Sequence, residues 1–161
     1  MTTHDRRGVN VVAVFAHPDD ESLACGGTLS RLAADGVHVT VISASHGERG
    51  AITGPQRDDS LGRTRAGEIV RAADALGIAE VVIANHPDGE LRWADVTEFH
   101  AELVGYLRGH APAAVITFGA DGLYWHPDHI GVHERTTAAV HALGSDAPDR
   151  KSTRLNSSHR T

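Results

Sequence analysis

The tripeptide His-Pro-Asp occurs three times in the sequence, and each copy follows an apolar run. The copies are "HPDDE" at 17–21, "HPDGE" at 86–90 and "HPDH" at 126–129. Imidazole and carboxylate groups are common ligands of Zn²⁺ and Fe²⁺, and they are also frequent general acids and bases. The repeated motif therefore points to metal-dependent chemistry, provided that the fold brings the copies together.

The first and third copies place a second ligand-type residue three positions after the histidine, at Asp20 and His129. Proline after the histidine favours an extended backbone there and suits the first turn of a helix, so both side chains of a pair can reach one point. A catalytic zinc ion typically has three protein ligands and an open position for water. We therefore predict a metal site formed by His17, Asp20 and His129. Asp19 and His126 are then left beside the open position.

The second copy lacks a ligand at the fourth position, because Gly89 stands where the first copy has Asp20 and the third has His129. We predict no metal site in this copy. Asp88 has a structural explanation of its own, since Pro-Asp-Gly is a typical turn sequence.

Alternating strands and helices must position these motifs. Apolar, β-branched runs predict buried strands at 9–16, 37–43, 79–84 and 113–118. Helices are predicted from about Asp19 to Gly36, at 63–76, at 95–109 and from the third motif to about Leu143. This order predicts βαβ units, and therefore an α/β, Rossmann-like three-layer fold with a mostly parallel sheet. Ligands bind beyond the carboxyl ends of such strands, where all three copies lie.

Apolar spacing predicts which helix faces turn toward the core. The residues expected to be buried are Leu23, Leu29 and Leu32 in the first helix, Ile69, Val70, Ala73 and Leu76 in the second, and Phe99, Leu103 and Leu107 in the third. The single cysteine, Cys25, excludes an internal disulfide and is expected to be a packing residue.

Length and composition limit the classes of function. The 161 residues suffice for one domain with a core, and the net charge of −6 without a basic stripe argues against a nucleic-acid partner. No apolar run reaches the length of a membrane span, and the N-terminal residues leave no room for a signal peptide. We therefore predict a cytoplasmic protein. The sequence does not predict its oligomeric state.

The segment "DRKSTRLNSSHRT" at 149–161 differs from the rest of the chain. It contains Lys151, the only lysine in the sequence, and it has no apolar periodicity. The string from Asp149 to His159 also resembles a translated sequencing adapter. We therefore expect residues 1–148 to be a single domain that is incomplete at its C-terminus, with 149–161 as a tail outside it.

The paired motifs "AHPDDE" and "HPDH" resemble those of the PIG-L/LmbE-like zinc-dependent N-deacetylases, which include the mycothiol-pathway deacetylase. The resemblance covers about residues 9–143. It implies Zn²⁺ bound by His17, Asp20 and His129, with Fe²⁺ as an alternative ion. It also implies a small-molecule partner, namely an amino sugar conjugate such as an N-acetylglucosaminyl compound, from which the enzyme hydrolyses the N-acetyl group.

The same resemblance implies roles for five further residues. Asp19 would be the general base, His126 would stabilise charge on the reacting amide, and Tyr124 matches a tyrosine that helps to polarise the carbonyl in some members. Asp88 stands where an acidic residue contacts the sugar, and Arg65 resembles a substrate-contacting arginine. The alternative for Arg65 is a solvated helix charge.

Two other interpretations remain open at this stage. Two histidines and one carboxylate also form the facial triad of non-haem Fe(II) oxygenases, although the His-x-x-Asp turn on a parallel sheet favours hydrolysis. Alternatively, the chain is an inactive fragment that lacks a further strand, core cover and pocket walls, which would leave an exposed sheet edge.

Overall fold

The computed structural model describes residues 8–51, 61–93, 96–144 and 147, which form four strands and five helices. In chain order the elements are β1 (Asn10–Phe15), α1 (Asp20–Ala34), β2 (His38–Ser43), α2 (Leu61–Leu76), β3 (Glu80–Ile83), α3 (Val96–His110), β4 (Ala114–Ile116), α4 (Gly122–Trp125) and α5 (Pro127–Ala142). None of these helices combines the length and apolarity that crossing a membrane requires. The expected tail at 149–161 lies outside the described residues.

The four strands form one parallel sheet in the order β3-β2-β1-β4. Strand β1 is central, and its Val12 is in register with Thr40 of β2 and Val115 of β4. Parallel neighbours need crossover connections, which the helices supply. The predicted α/β fold with a parallel sheet is therefore confirmed.

The core lies on both faces of β1 and β2, whose residues are buried apart from the first of each strand. The predicted inward residues of α3 are confirmed, because Phe99, Leu103 and Leu107 are each 1% exposed or less. Leu29 of α1 and Ile69 of α2 are buried as well. Long β-branched strands of this kind are typical of sheets that are covered on both sides.

Two residues predicted to be in the core are exposed. Leu23 is 80% exposed, because it lies six residues before the buried Leu29 and therefore about 120° away from it around a helix. The helix also has a non-helical residue at Cys25 (φ −152°, ψ 23°). Val70 is 56% exposed, since it follows the buried Ile69 and lies about 100° further round the helix. Cys25 itself packs partly buried against the core, and burial raises the pKa of its thiol to about 11.

The carboxyl ends of the strands bring the three motifs to one edge of the sheet. The first copy begins just beyond β1 at His17, and the second begins just beyond β3 at His86. After β4 the chain forms the short turn α4, which the sequence does not predict, and α4 leads directly into His126. All three copies therefore open toward the same side of the molecule.

Candidate active site

The imidazole of His17 is the point at which the three motif copies meet. Its Nδ1 lies 3.4 Å from Asp20 Oδ2, within the first copy. Its Nε2 lies 3.0 Å from Asp88 Oδ1 of the second copy and 3.1 Å from Asp128 Oδ2 of the third. The copies thus have different tasks, because the first supplies the imidazole and the other two supply carboxylates that hold it.

His17, Asp20 and His129 form a buried group suited to a metal ion. Each offers one ligand atom, and these atoms lie within 4.8 Å of one another. His129 Nε2 lies 3.3 Å from Asp20 Oδ1, and this buried nitrogen has no hydrogen-bond partner among the described residues. A buried polar atom without a partner is costly, which a metal ion at this point would relieve. Two imidazoles and a carboxylate fit Zn²⁺ or Fe²⁺.

Hydrogen bonds on the far side of each ring determine which nitrogen faces this group. His129 Nδ1 lies 3.1 Å from the carbonyl oxygen of Gly122, so in the neutral ring Nδ1 carries the proton and Nε2 holds the lone pair. His17 Nε2 faces two carboxylates, so in the neutral ring Nε2 carries the proton and Nδ1, beside Asp20, keeps its lone pair. Such outer partners are typical of metal-binding histidines.

A second set of candidate ligands overlaps the first. His17, His126 and Asp128 also offer atoms within 4.8 Å of one another. However, the Asp128 carboxylate already accepts hydrogen bonds from the backbone amides of Gly89 and Leu91, and His126 Nδ1 accepts one from the Asp128 amide. The first set, with the unpartnered nitrogen of His129, fits a metal ion better.

The site concentrates negative charge around His17. Burial would lower the pKa of His17, but hydrogen bonds to Asp128, Asp20 and Asp88 outweigh burial and raise it to about 11. Burial would raise the pKa of Asp20, yet the contacts with His129 and His17 hold it well below its usual range. Burial would also raise the pKa values of Asp88 and Asp128, but the contact of each carboxylate with His17 outweighs burial and lowers them. Three ionised carboxylates therefore attract a cation to this place.

Asp19 lies at the start of α1 in a conformation that few residues adopt, with φ 128° and ψ −27°. Its Oδ2 accepts a hydrogen bond of 2.6 Å from Arg65 Nη2, and its side chain is half exposed. Burial raises the pKa of Asp19, and the Arg65 charge opposes this rise. A carboxylate with a raised pKa is a better proton acceptor near neutral pH, which suits a general base.

Arg65 reaches the site from α2 and is held there. Its guanidinium donates to Asp19, to the carbonyl oxygen of Pro18 at 2.9 Å and to that of Gly47 at 2.8 Å. The side chain is only 15% exposed. The alternative of a freely solvated helix charge is therefore wrong, whereas contact with substrate stays a prediction.

His126 and Tyr124 flank the site on the side of α4 and α5. His126 Nδ1 accepts from the Asp128 amide at 3.2 Å, so the neutral ring carries its proton on Nε2 and can donate. Burial, followed by the charges of His129 and His17, lowers the pKa of His126 and keeps the ring neutral. Tyr124 stacks edge-on to His126 with ring centroids 5.8 Å apart, and burial raises the pKa of its hydroxyl.

A cavity of about 390 Å³ opens beside these groups, and every predicted site residue except His129 lines it. Its lining also includes the apolar Leu23 and Leu123 and the basic Arg49. The sequence does not predict these wall residues, because they lie on three segments that are far apart along the chain. The arrangement offers a cation site, a proton acceptor and hydrogen-bond donors to one small ligand.

Asp128 is a residue of the site that the sequence analysis does not predict. It is fully buried, and it accepts from the amides of Gly89 at 2.7 Å and Leu91 at 3.0 Å while it also contacts His17. It therefore ties the loop of the second copy to α5. A signal was present, since aspartate is common to all three copies.

The second copy contributes its aspartate and not its histidine. His86 turns away to Glu102, 2.8 Å from its Nε2, and packs against Phe99. Asp88 is 5% exposed, and its Oδ2 accepts from the Arg49 amide at 2.7 Å. A Pro-Asp-Gly turn explains the backbone at this point, but it does not explain why the Asp88 carboxylate contacts His17 and the Arg49 amide. Contact of Asp88 with a sugar stays a prediction.

Comparison with known proteins points the same way as these contacts. Residues 12–140 match the profile of the family described as PIG-L: GlcNAc-PI de-N-acetylase. A relative from Thermobispora bispora, named 1D-myo-inositol 2-acetamido-2-deoxy-alpha-D-glucopyranoside deacetylase, is 38% identical over 88% of this chain and 53% of its own. The chain thus spans about half the length of the curated relatives that it matches.

Solved structures share the fold. A conserved protein of Thermus thermophilus superposes with a TM-score of 0.71 at 33% identity, over 84% of this chain and 57% of that one. The N,N'-diacetylchitobiose deacetylase of Pyrococcus horikoshii gives a TM-score of 0.74 over 89% and 58% of the two chains, but its 24% identity speaks for the fold alone. On the family profile and the 38% identical relative together, the chain belongs to the PIG-L family.

Proposed function

We propose that the protein is a metal-dependent hydrolase that removes the N-acetyl group from an amino sugar conjugate, such as an N-acetylglucosaminyl compound. The observation that carries this proposal is the buried group of His17, Asp20 and His129, two of which line the same cavity as Asp19. The name of the Thermobispora relative supports an acetamido sugar as substrate. Membership of a de-N-acetylase family also favours hydrolysis over the oxygenase alternative.

His17, Asp20 and His129 would hold the ion, Zn²⁺ by preference with Fe²⁺ as the alternative. When bound, such an ion supplies Lewis acidity and lowers the pKa of water. Asp128 supports this arrangement by accepting a hydrogen bond from His17 Nε2, and Asp88 forms an ion pair with the same nitrogen.

Asp19 would act as the general base. Its carboxylate accepts a proton from the attacking water as the new carbon–oxygen bond forms at the acetyl carbon. It then returns that proton to the amine nitrogen as the carbon–nitrogen bond breaks, which yields acetate and a free amine. The hydrogen bond from Arg65 Nη2 holds the carboxylate in place during both transfers.

His126 would stabilise the negative charge that develops on the carbonyl oxygen. Its ring is neutral and carries the proton on Nε2, because Nδ1 accepts from the backbone. A donor that is already in place when charge develops is worth about 10²–10³ in kcat. The hydroxyl of Tyr124, on the same wall of the cavity, would add a second donor. Arg65 and Asp88 are the predicted contacts to the sugar.

The test is release of acetate from N-acetylglucosamine conjugates by the Zn²⁺-loaded chain. We expect release by the unchanged chain and a loss of about 10²–10⁴ in kcat for Asp19→Ala. Asp35→Ala is the matched control, because Asp35 ends the same helix and, within the described part of the chain, its carboxylate pairs only with Arg31 one turn away. Its rate should equal that of the unchanged chain.

Two results would count against the proposal. Full activity of Asp19→Ala would refute the base assignment. No acetate from a folded, Zn²⁺- or Fe²⁺-loaded chain would refute the hydrolase function, and Fe(II)-dependent oxygen uptake in its place would favour the oxygenase.

A further inference from the structure

Asp88 connects the candidate metal site to the loop that follows β2. Its Oδ1 lies 3.0 Å from His17 Nε2, and its Oδ2 accepts from the Arg49 amide at 2.7 Å. Its own amide donates to Glu48 Oε1 at 2.9 Å. Both carboxylate oxygens are thus engaged within the protein, although the residue also lines the cavity.

Two carboxylates face the same nitrogen of His17, and they are not equivalent. Asp128 Oδ2 accepts a hydrogen bond from His17 Nε2 at 3.1 Å and a second one from the Gly89 amide at 2.7 Å. Asp88 Oδ1 forms an ion pair with the same nitrogen at 3.0 Å, so that the two carboxylates together hold the ring. A carboxylate in this position holds the ring orientation and makes the opposite nitrogen a stronger ligand.

We propose that Asp88 is a positioning residue that raises the affinity of the site for its metal ion, because together with Asp128 it holds the Nε2 side of the His17 ring. Nδ1 of His17 thereby stays directed at Asp20, with which it would hold the ion. The inference rests on the proposed function only in taking the ion to be bound by His17, Asp20 and His129. It assigns Asp88 a task that needs no substrate, in addition to the predicted contact with a sugar.

The experiment measures Zn²⁺ affinity without substrate, by competition with a chelating dye. We expect Asp88→Asn to bind Zn²⁺ about 10–100-fold more weakly, since the amide cannot accept from both His17 and the Arg49 backbone. Glu90→Gln is the matched control. It makes the same change in the same loop, and Glu90 pairs with the exposed Arg49 side chain. Its Zn²⁺ affinity should be unchanged.

A Zn²⁺ affinity of Asp88→Asn within twofold of the unchanged chain, together with a raised KM, would overturn the inference and leave Asp88 as a substrate contact only.

Circular dichroism checks that the variant folds. If it does not, ¹⁵N-detected imidazole spectra of the unchanged Zn²⁺-loaded chain decide, because His17 must then be protonated on Nε2 and metal-bound through Nδ1. The opposite arrangement overturns the inference. A failed acetate assay would overturn the proposed function and not this one, because neither measurement uses substrate.

Discussion

Asp19 combines a strained backbone with the carboxylate that the proposed chemistry needs. Its φ of 128° lies in the region that favours glycine, and a residue with a side chain there costs about 1–3 kcal/mol. Packing at the start of α1 and the hydrogen bonds of Arg65 to Pro18 and Asp19 hold this conformation. The backbone conformation that places the Asp19 carboxylate at the cavity therefore lowers the stability of the folded chain.

This strain predicts a difference between two inactive variants. Asp19→Gly and Asp19→Ala both lose the carboxylate and the Arg65 ion pair, and they differ only in the Cβ atom at a positive φ. We expect the free energy of unfolding, measured in urea, to be about 1 kcal/mol higher for the glycine variant. At Asp35, where φ is −82°, alanine should be at least as stable as glycine. A more stable alanine variant at position 19 would contradict the strain.

The short spacing within a motif predicts part of the candidate metal site from the sequence. His17 and Asp20 lie on one turn, so their spacing alone predicts that they are neighbours, and they are 3.4 Å apart. The contacts of His17 with Asp88 and Asp128 join residues that are far apart in sequence. Only the packed fold decides which of several buried carboxylates reaches the ring.

At the scale of elements, the backbone of α5 at Gly131 lies against the backbone of Leu91 and Arg92, in the loop that follows the second copy. A Cβ atom at Gly131 would lie 2.7 Å from Arg92 Cα and 2.8 Å from the carbonyl oxygen of Leu91, both of which are backbone atoms. The absence of a side chain at Gly131 therefore lets the loop approach the helix. This approach is also what brings the amides of Gly89 and Leu91 to Asp128.

Gly131→Ala should accordingly lower the free energy of unfolding by about 1–3 kcal/mol, because backbone must move to admit the methyl group. Gly105→Ala is the matched control. Gly105 is an exposed residue of α3, and a Cβ atom there would have no neighbour within 4 Å among the described residues. That change should raise stability by up to about 1 kcal/mol through helix propensity. Equal effects of the two substitutions in thermal or urea unfolding would show that the contact at Gly131 is not tight.

Hydrophobic periodicity predicts the strands and the long helices, but not the four-residue helix α4. The four strands and the helices around them follow from apolar runs, because a buried parallel sheet requires such runs on every strand. The turn α4 has no such signal, since Leu123 and Trp125 adopt positive φ values that tertiary contacts must hold. The break at Cys25 likewise has no signal in the sequence, and Leu23, which the sequence predicts in the core, lines the cavity.

At the scale of the whole molecule, the candidate ligands come from opposite ends of the described chain. His17 and Asp20 follow the central strand β1, whereas His129 lies on the last helix. An ion bound there would connect α5 to the middle of the sheet. Because an ion that binds only the folded state stabilises it, occupancy should be measurable as stability.

We therefore expect Zn²⁺ to raise the melting temperature of the 161-residue chain, with a gain of about 2.7 kcal/mol at one hundred times the dissociation constant. Residues 1–148 should gain as much, because the three predicted ligands lie between positions 17 and 129. Asp20→Ala should abolish the gain. His133→Ala should keep it, since His133 bonds to the carbonyl oxygen of Phe118 outside the ligand group. An undiminished Zn²⁺ effect in Asp20→Ala would place the ion elsewhere. Unfolding without a cooperative transition, with or without Zn²⁺, would favour the interpretation of the chain as an incomplete, inactive fragment.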